Sequence, residues 1–213
     1  MRASRSALWS SSDPVAQPVD FWVSIGSTYS CLTVLRLAGM GAVAPPLRWR
    51  PFDVRRIMLA QDNIPFRDKP VKAAYMWRDI ARRAQKYGLQ IRVPAPYPLQ
   101  ELTLANQIAL VGADEGWCAD YVTESYRLWF GEGLEPGQEP AITRALGAIG
   151  QEPARVMALA RSAEIAERLR AESDHAMALG IFGAPSFRVG EEIFWGDDRL
   201  EDALDWAERG RLG

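Results

Sequence analysis

DFWVSIGSTYSCL, residues 20–32, reads as a buried strand that runs straight into a helix, with Ser27-Thr28-Tyr29-Ser30 at the junction. A junction of this kind leaves free backbone N–H groups and the positive end of a helix dipole aimed at one spot, where negative charge is stabilised. Every side chain of the junction carries a hydroxyl. Ser27 can donate to an anion held there, and it is equally suited to capping the helix.

Outward from the junction, residues 21–25 supply the strand, and Tyr29, Leu32, Val34, Leu35 and Leu37 fall at helical spacing. Gly39 and Gly41 are expected to stop that helix. Residues 47–52, LRWRPF, alternate apolar and basic side chains and read as a second strand. A strand, a helix and a strand in one sheet require a parallel, right-handed crossover. Residues 69–87, 100–112, 117–130, 140–149 and 152–180 then show helical periodicity, separated by Gly or Pro. Pro94, Pro96 and Pro98 make a connector that no helix crosses. Residues 186–189 and 193–195 flank Gly190-Glu191-Glu192 and form a predicted hairpin, and residues 200–211 make a closing amphipathic helix.

The order β-α-β, helices, β-β-α defines an α/β, thioredoxin-like fold with a large all-helical insertion. Residues 18–60 and 181–213 are expected to form the thioredoxin-like part and residues 61–180 the insertion. Residues 1–17, rich in Ser, Arg, Ala and Pro, read as a disordered extension.

Composition narrows the function. The net charge is -2, with 48% apolar and 24% charged residues, so no concentrated basic face for a nucleic acid is expected. Apolar runs end well short of the roughly 18 residues a transmembrane helix needs. The chain therefore reads as soluble, with neither a nucleic-acid nor a membrane partner. His175 is the only histidine, and Cys31 and Cys118 are far apart. That pattern disfavours a metal site and a Ser-His-Asp triad. Few cysteines and no signal-peptide core point to a reducing compartment, the cytoplasm.

In thioredoxin-like proteins the strand-to-helix junction holds a Cys-x-x-Cys pair whose thiolate uses the same field. Here Ser27 and Ser30 stand at those positions. They cannot form a disulfide, so thiol oxidoreductase chemistry is rejected. The junction is built like a thiolate site but brings no thiolate of its own.

Four separated motifs carry a resemblance. They are Ser27-Thr28-Tyr29-Ser30; Asn63 and Lys72 within NIPFRDKPVKAAYMWRD; GIFGAPSF, residues 180–187; and Trp195-Gly196-Asp197-Asp198-Arg199. In this order they are similar to the helix start, the Asn-x-Pro and Lys-x-x-Tyr-x-x-x-Asp segment, the cis-proline turn and the Gly-x-Asp-Arg turn of the 2-hydroxychromene-2-carboxylate isomerases. That family is related to the kappa-class glutathione transferases and, more distantly, to bacterial disulfide oxidoreductases. The resemblance runs from about Phe21 to the C-terminus. Thr28 departs from it, standing where the family places a proline that pre-sets the first helical turn.

The resemblance implies glutathione as cofactor, a small aromatic acid as substrate, and a homodimer. It implies Ser27 as the catalytic residue facing the glutathione sulfur, and Ala184, before a cis Pro185, pairing its backbone with the cysteinyl part. Asp197 and Asp198 are implied to accept the γ-glutamyl amine, and Asn63 and Lys72 to reach the glycyl end or the acidic substrate. A kappa-like glutathione transferase and an inactive thioredoxin-like binding module are the alternatives. Each residue also has a plainer role: Asp197 and Asp198 can cap the last helix, and Lys72 can be a solvated charge. Tyr75, Trp77, Trp117, Trp129 and Phe130 can line a substrate pocket or fill the core.

Overall fold

The computed structural model describes residues 17–41, 45–64, 66 and 68–213. The expected N-terminal extension lies, apart from Gln17, outside the described residues. Strand β1 (Val19–Val23) enters helix α1 (Ser30–Met40), which is followed by β2 (Leu47–Pro51). Next come α2 (Val54–Ala60), α3 (Pro70–Lys86), α4 (Leu102–Glu115) and α5 (Cys118–Arg127), the last continued by a π-helical turn (Leu128–Glu132). Helices α6 (Ala141–Ala148), α7 (Pro153–Ala160) and α8 (Ala163–Ala178) lead to the hairpin β3 (Ser186–Val189) and β4 (Glu192–Trp195). A 3-10 turn (Asp197–Arg199) and α9 (Leu200–Arg209) close the chain.

The four strands lie in the order β2-β1-β3-β4, with β1 parallel to β2 and antiparallel to β3. Every residue of β1 is buried, because both faces of the sheet are covered. Phe21 and Val23 belong to the larger core with residues of α4 and α5, while Trp22 joins a smaller cluster with Phe52, Ile57 and Ile181.

Several expected boundaries move. Gly39 lies inside α1, whereas Gly41, at φ +54°, ends the helix as expected. The long helix expected over 152–180 is two helices, because the Ser162 hydroxyl accepts the Ile165 N–H and starts a new one. Helix α2 was not anticipated. Asp53 caps it, accepting the N–H groups of Arg55 and Arg56.

One buried side chain ties the helical segment to the sheet. Asn106 on α4 accepts the Ile25 N–H at 2.8 Å and donates to the carbonyls of Ile25 at 2.9 Å and Leu102 at 2.8 Å. Asn106→Ala strands the N–H and carbonyl of Ile25, each costing about 1–3 kcal/mol. Urea unfolding of Asn106→Ala is expected to show a loss of about 3 kcal/mol at constant m-value.

Candidate functional site

After β1 the chain turns tightly, with the Ser27 N–H donating to Ser24 O at 3.1 Å. The buried Tyr126 hydroxyl, from α5, approaches Ser27 O at 2.9 Å and Ser24 O at 3.1 Å. With Asn106 on Ile25, the loop is braced from behind and its front is left free. The Ser27 hydroxyl then does two things: it accepts the Ser30 N–H at 3.3 Å and donates to Ala184 O at 2.6 Å. It therefore caps the start of α1 while also reaching the second segment of the site.

That segment is Gly183-Ala184-Pro185-Ser186, and the Ala184–Pro185 bond is cis. The Gly196 N–H donates to Pro185 O at 3.0 Å, which fastens the turn to the end of β4. The Ala184 N–H has no partner among the described residues. Gly183 has no room for a side chain, since a Cβ there would lie 2.6 Å from Nε1 of Trp195.

A cavity of about 290 Å³ opens beside this turn, lined by Tyr29, Asp79, Arg83, Ala184, Pro185 and the stretch from Trp195 to Asp198. Two cavities of about 560 and 670 Å³ lie elsewhere, against the edge strand β2 and between α2 and α8. Neither has the strand-to-helix junction in its lining, so size does not identify the site.

Acids dominate the small cavity. The Tyr29 hydroxyl donates to Asp79 Oδ2 at 3.0 Å. Burial, reinforced by Asp79, pushes its phenol far above the usual tyrosine range, so Tyr29 is a neutral donor. Asp197 is buried and accepts Nε of Arg83 at 2.9 Å, while Arg36 donates to its main-chain oxygen at 2.9 Å. Burial raises the Asp197 carboxyl above the ordinary value and the Arg83 charge opposes it. Asp198 is exposed, and its carboxylate lies 3.7 Å from Arg199. Neither aspartate caps α9, which has no side-chain cap.

The structure thus brings Ser27, Ala184, Pro185, Asp197 and Asp198 together. Asn63 and Lys72 stand apart from them, and both are exposed. Asn63 follows α2, with its N–H on Met58 O, and Lys72 in the first turn of α3 holds Nζ 5.8 Å from the Phe66 ring. Of the five aromatic residues, Trp117, Trp129 and Phe130 are core, Tyr75 is exposed, and Trp77 is half-buried. Trp77 and Phe66 both pack edge-on to Tyr97, each at 6.1 Å. Sequence reasoning gave no role to Arg83 or Tyr97. Arg83 sits two turns past Tyr75 on a helix that reads as amphipathic throughout, so only its partner Asp197 singles it out.

A thiolate-type junction without cysteines, set against a cis-proline turn, defines a class. Residues 18–205 match the DSBA-like thioredoxin domain, and the chain belongs to that family. It is 29% identical to a 2-hydroxychromene-2-carboxylate isomerase of Pseudomonas putida over 185 residues, covering 85% of this chain and 90% of that protein. A solved structure of a 2-hydroxychromene-2-carboxylate isomerase superposes with a TM-score of 0.78 at 28% identity, over 90% of this chain and 96% of that one. Similarity extends to the glutathione S-transferase kappa 2 of Caenorhabditis elegans, 23% identical over 209 residues, which cover 91% of this chain and 92% of that protein.

The Arg83–Asp197 pair makes a signed prediction. Because the folded-state carboxyl of Asp197 is raised, its stability contribution is complete below the unfolded value and is lost as pH rises through the folded one. Arg83→Ala removes the opposing charge, raises that carboxyl further and is expected to cost about 2 kcal/mol at pH 7. Thermal melts should show the gap between wild type and Arg83→Ala narrowing as pH falls from 7 towards 4.

Proposed function

We propose that this chain is a glutathione-dependent isomerase of the 2-hydroxychromene-2-carboxylate type, acting in aromatic-compound breakdown. The observation that carries the reading is the Ser27 hydroxyl, held at the start of α1 and 2.6 Å from the carbonyl that precedes cis Pro185. The isomerase relatives at 29% and 28% identity support it.

The residues present fit glutathione. The Ala184 N–H, without a partner among the described residues, suits the cysteinyl backbone of a tripeptide. Asp198 is the better acceptor for the γ-glutamyl amine, because Asp197 already holds Arg83. Bound glutathione supplies a thiolate that adds to a conjugated double bond and leaves once that bond has rotated. Ser27 turns its hydroxyl proton from Ala184 O to the sulfur, and the start of α1 adds partial positive charge. Lowering a thiol by one to two pH units takes about 1.4–2.7 kcal/mol, within reach of one charge-assisted hydrogen bond and a helix start. Asn63 and Lys72, which stand apart from the cavity and are exposed, are retained only as candidates for steadying negative charge on the substrate, on the strength of the family resemblance. We further read the protein as a cytoplasmic homodimer. The buried, unpaired Cys31 and Cys118 support a reducing compartment. No helix among the described residues is long and apolar enough to cross a membrane.

The kappa-class relative favours a second reading, a transferase that releases the conjugate. Thiol counting separates the two. With 2-hydroxychromene-2-carboxylate, the isomerase turns over at constant glutathione, whereas consumption of one thiol per product identifies the transferase. Calorimetry without any glutathione binding at millimolar concentration leaves only a binding module. Ser27→Ala is expected to lower kcat tenfold or more, at least about 1.4 kcal/mol of barrier; full activity would reduce Ser27 to a helix cap.

A further inference from the structure

Two arginines from different helices converge on Asp197, and one tyrosine ring carries both. Arg36 of α1 donates to the Asp197 main-chain oxygen at 2.9 Å, and Arg83 of α3 donates to the Asp197 carboxylate at 2.9 Å. Tyr87 follows the last residue of α3, four positions after Arg83, so the two side chains are neighbours on one side of the helix. The Arg36 guanidinium lies 4.1 Å from the centre of the Tyr87 ring and the Arg83 guanidinium 5.7 Å from it, both within reach of a cation–π attraction. Arg83 Nη2 also donates to the Tyr87 hydroxyl at 2.9 Å.

Both cations are withdrawn from solvent, with side chains 9% exposed for Arg36 and 22% for Arg83. Like charges held so close need compensation. Asp197 and Glu201 supply the opposing charge, the latter by pairing with Arg36. Tyr87 supplies what the acids cannot, a flat face that fixes the direction of two planar guanidinium groups. Their N–H groups then reach Asp197 from two sides, one at its main chain and one at its carboxylate.

The grip on Asp197 governs its neighbours in the turn. Gly196, before it, donates its N–H to Pro185 O at 3.0 Å. Asp198, after it, has Oδ1 2.6 Å from where a Cβ on Gly196 would be, so this carboxylate folds back over the turn and follows the Gly196 backbone. One helical turn before Arg83, Asp79 accepts the Tyr29 hydroxyl at 3.0 Å. Asp79, Arg83, Asp197 and Asp198 all line the cis-proline cavity, whereas Tyr87 is half-buried and outside the lining.

We propose that Tyr87 is a positioning residue of the candidate site. By seating Arg36 and Arg83 on its ring it holds the Gly196–Asp198 turn against Pro185, with the Asp198 carboxylate set to meet the amine of the γ-glutamyl arm. The proposal deepens the isomerase reading and rests on it for the identity of the ligand. Tyr87 itself touches no ligand.

The test combines calorimetry with amide hydrogen exchange on wild type, Tyr87→Phe and Tyr87→Leu. The ligands are glutathione and glutaryl-cysteinylglycine, the analogue without the amine. Wild type is expected to bind glutathione at least about threefold more tightly than the analogue. Tyr87→Leu removes that preference, whereas Tyr87→Phe, which keeps the ring, retains most of it. In Tyr87→Leu the Gly196 N–H exchanges at least about tenfold faster than in wild type, while the β1 amides keep their protection. Arg36→Gln, which lifts one cation off the ring, reproduces both effects where Tyr87→Leu does not fold. Equal weakening of the two ligands, or faster exchange in β1 as well, is the mark of a general packing role and overturns the proposal. So does an unchanged Gly196 rate, or an amine preference that survives Tyr87→Leu. A wild type that does not bind glutathione sinks the isomerase reading, and the Gly196 rate then decides by itself whether Tyr87 holds the turn.

Discussion

The grip of Asn106 on both polar groups of Ile25 is the interaction on which the site depends. A loop between a strand and a helix normally satisfies its backbone with water, which leaves it free to move. Here a side chain from α4 takes the place of water on Ile25, and Tyr126 from α5 does so at Ser24 and Ser27. The helical segment is thus the rear wall of the strand-to-helix junction. Ser27 can hold its hydroxyl against Ala184 only because the loop behind it has no freedom left.

Charge is sorted around that junction. Asp79, Asp197 and Asp198 gather on the side of the cis-proline cavity, with Arg83 and Arg36 balancing the buried member of the group. Beside that cavity the start of α1 offers a field that stabilises an anion. The same field serves a cysteine in thiol oxidoreductases, and with Ser27 in that place the junction keeps the field but carries no thiol of its own.

Thr28 illustrates how the site tolerates a departure. A proline at this point would pre-set the first turn of α1. Thr28 is buried, and its hydroxyl donates to the sulfur of Met76 at 3.1 Å. The turn is therefore stabilised from α3 through a side chain, and the helix still begins at Ser30.

Local chemistry made the junction and the hairpin around Gly190 legible in the amino-acid order, because each depends on residues adjacent in the chain. The missing cysteines also excluded disulfide exchange without any structure. Helix α2 escaped notice because it is short and its cap, Asp53, follows a strand without a glycine or a proline break after it. The single helix expected from 152 to 180 broke at Ser162, where a side-chain cap competes with an unbroken periodicity. What only tertiary structure decided is which groups remain unpaired. Asp197 and Asp198 are adjacent and chemically alike, yet Arg83 claims the first and leaves the second exposed. Arg55 and Arg56 are likewise neighbours, and Asp174 neutralises only Arg56. Such distinctions depend on partners more than a hundred residues away, which a local reading of sequence cannot see, whereas the helix dipole and the hydroxyl at Ser27 are properties of a dozen consecutive residues.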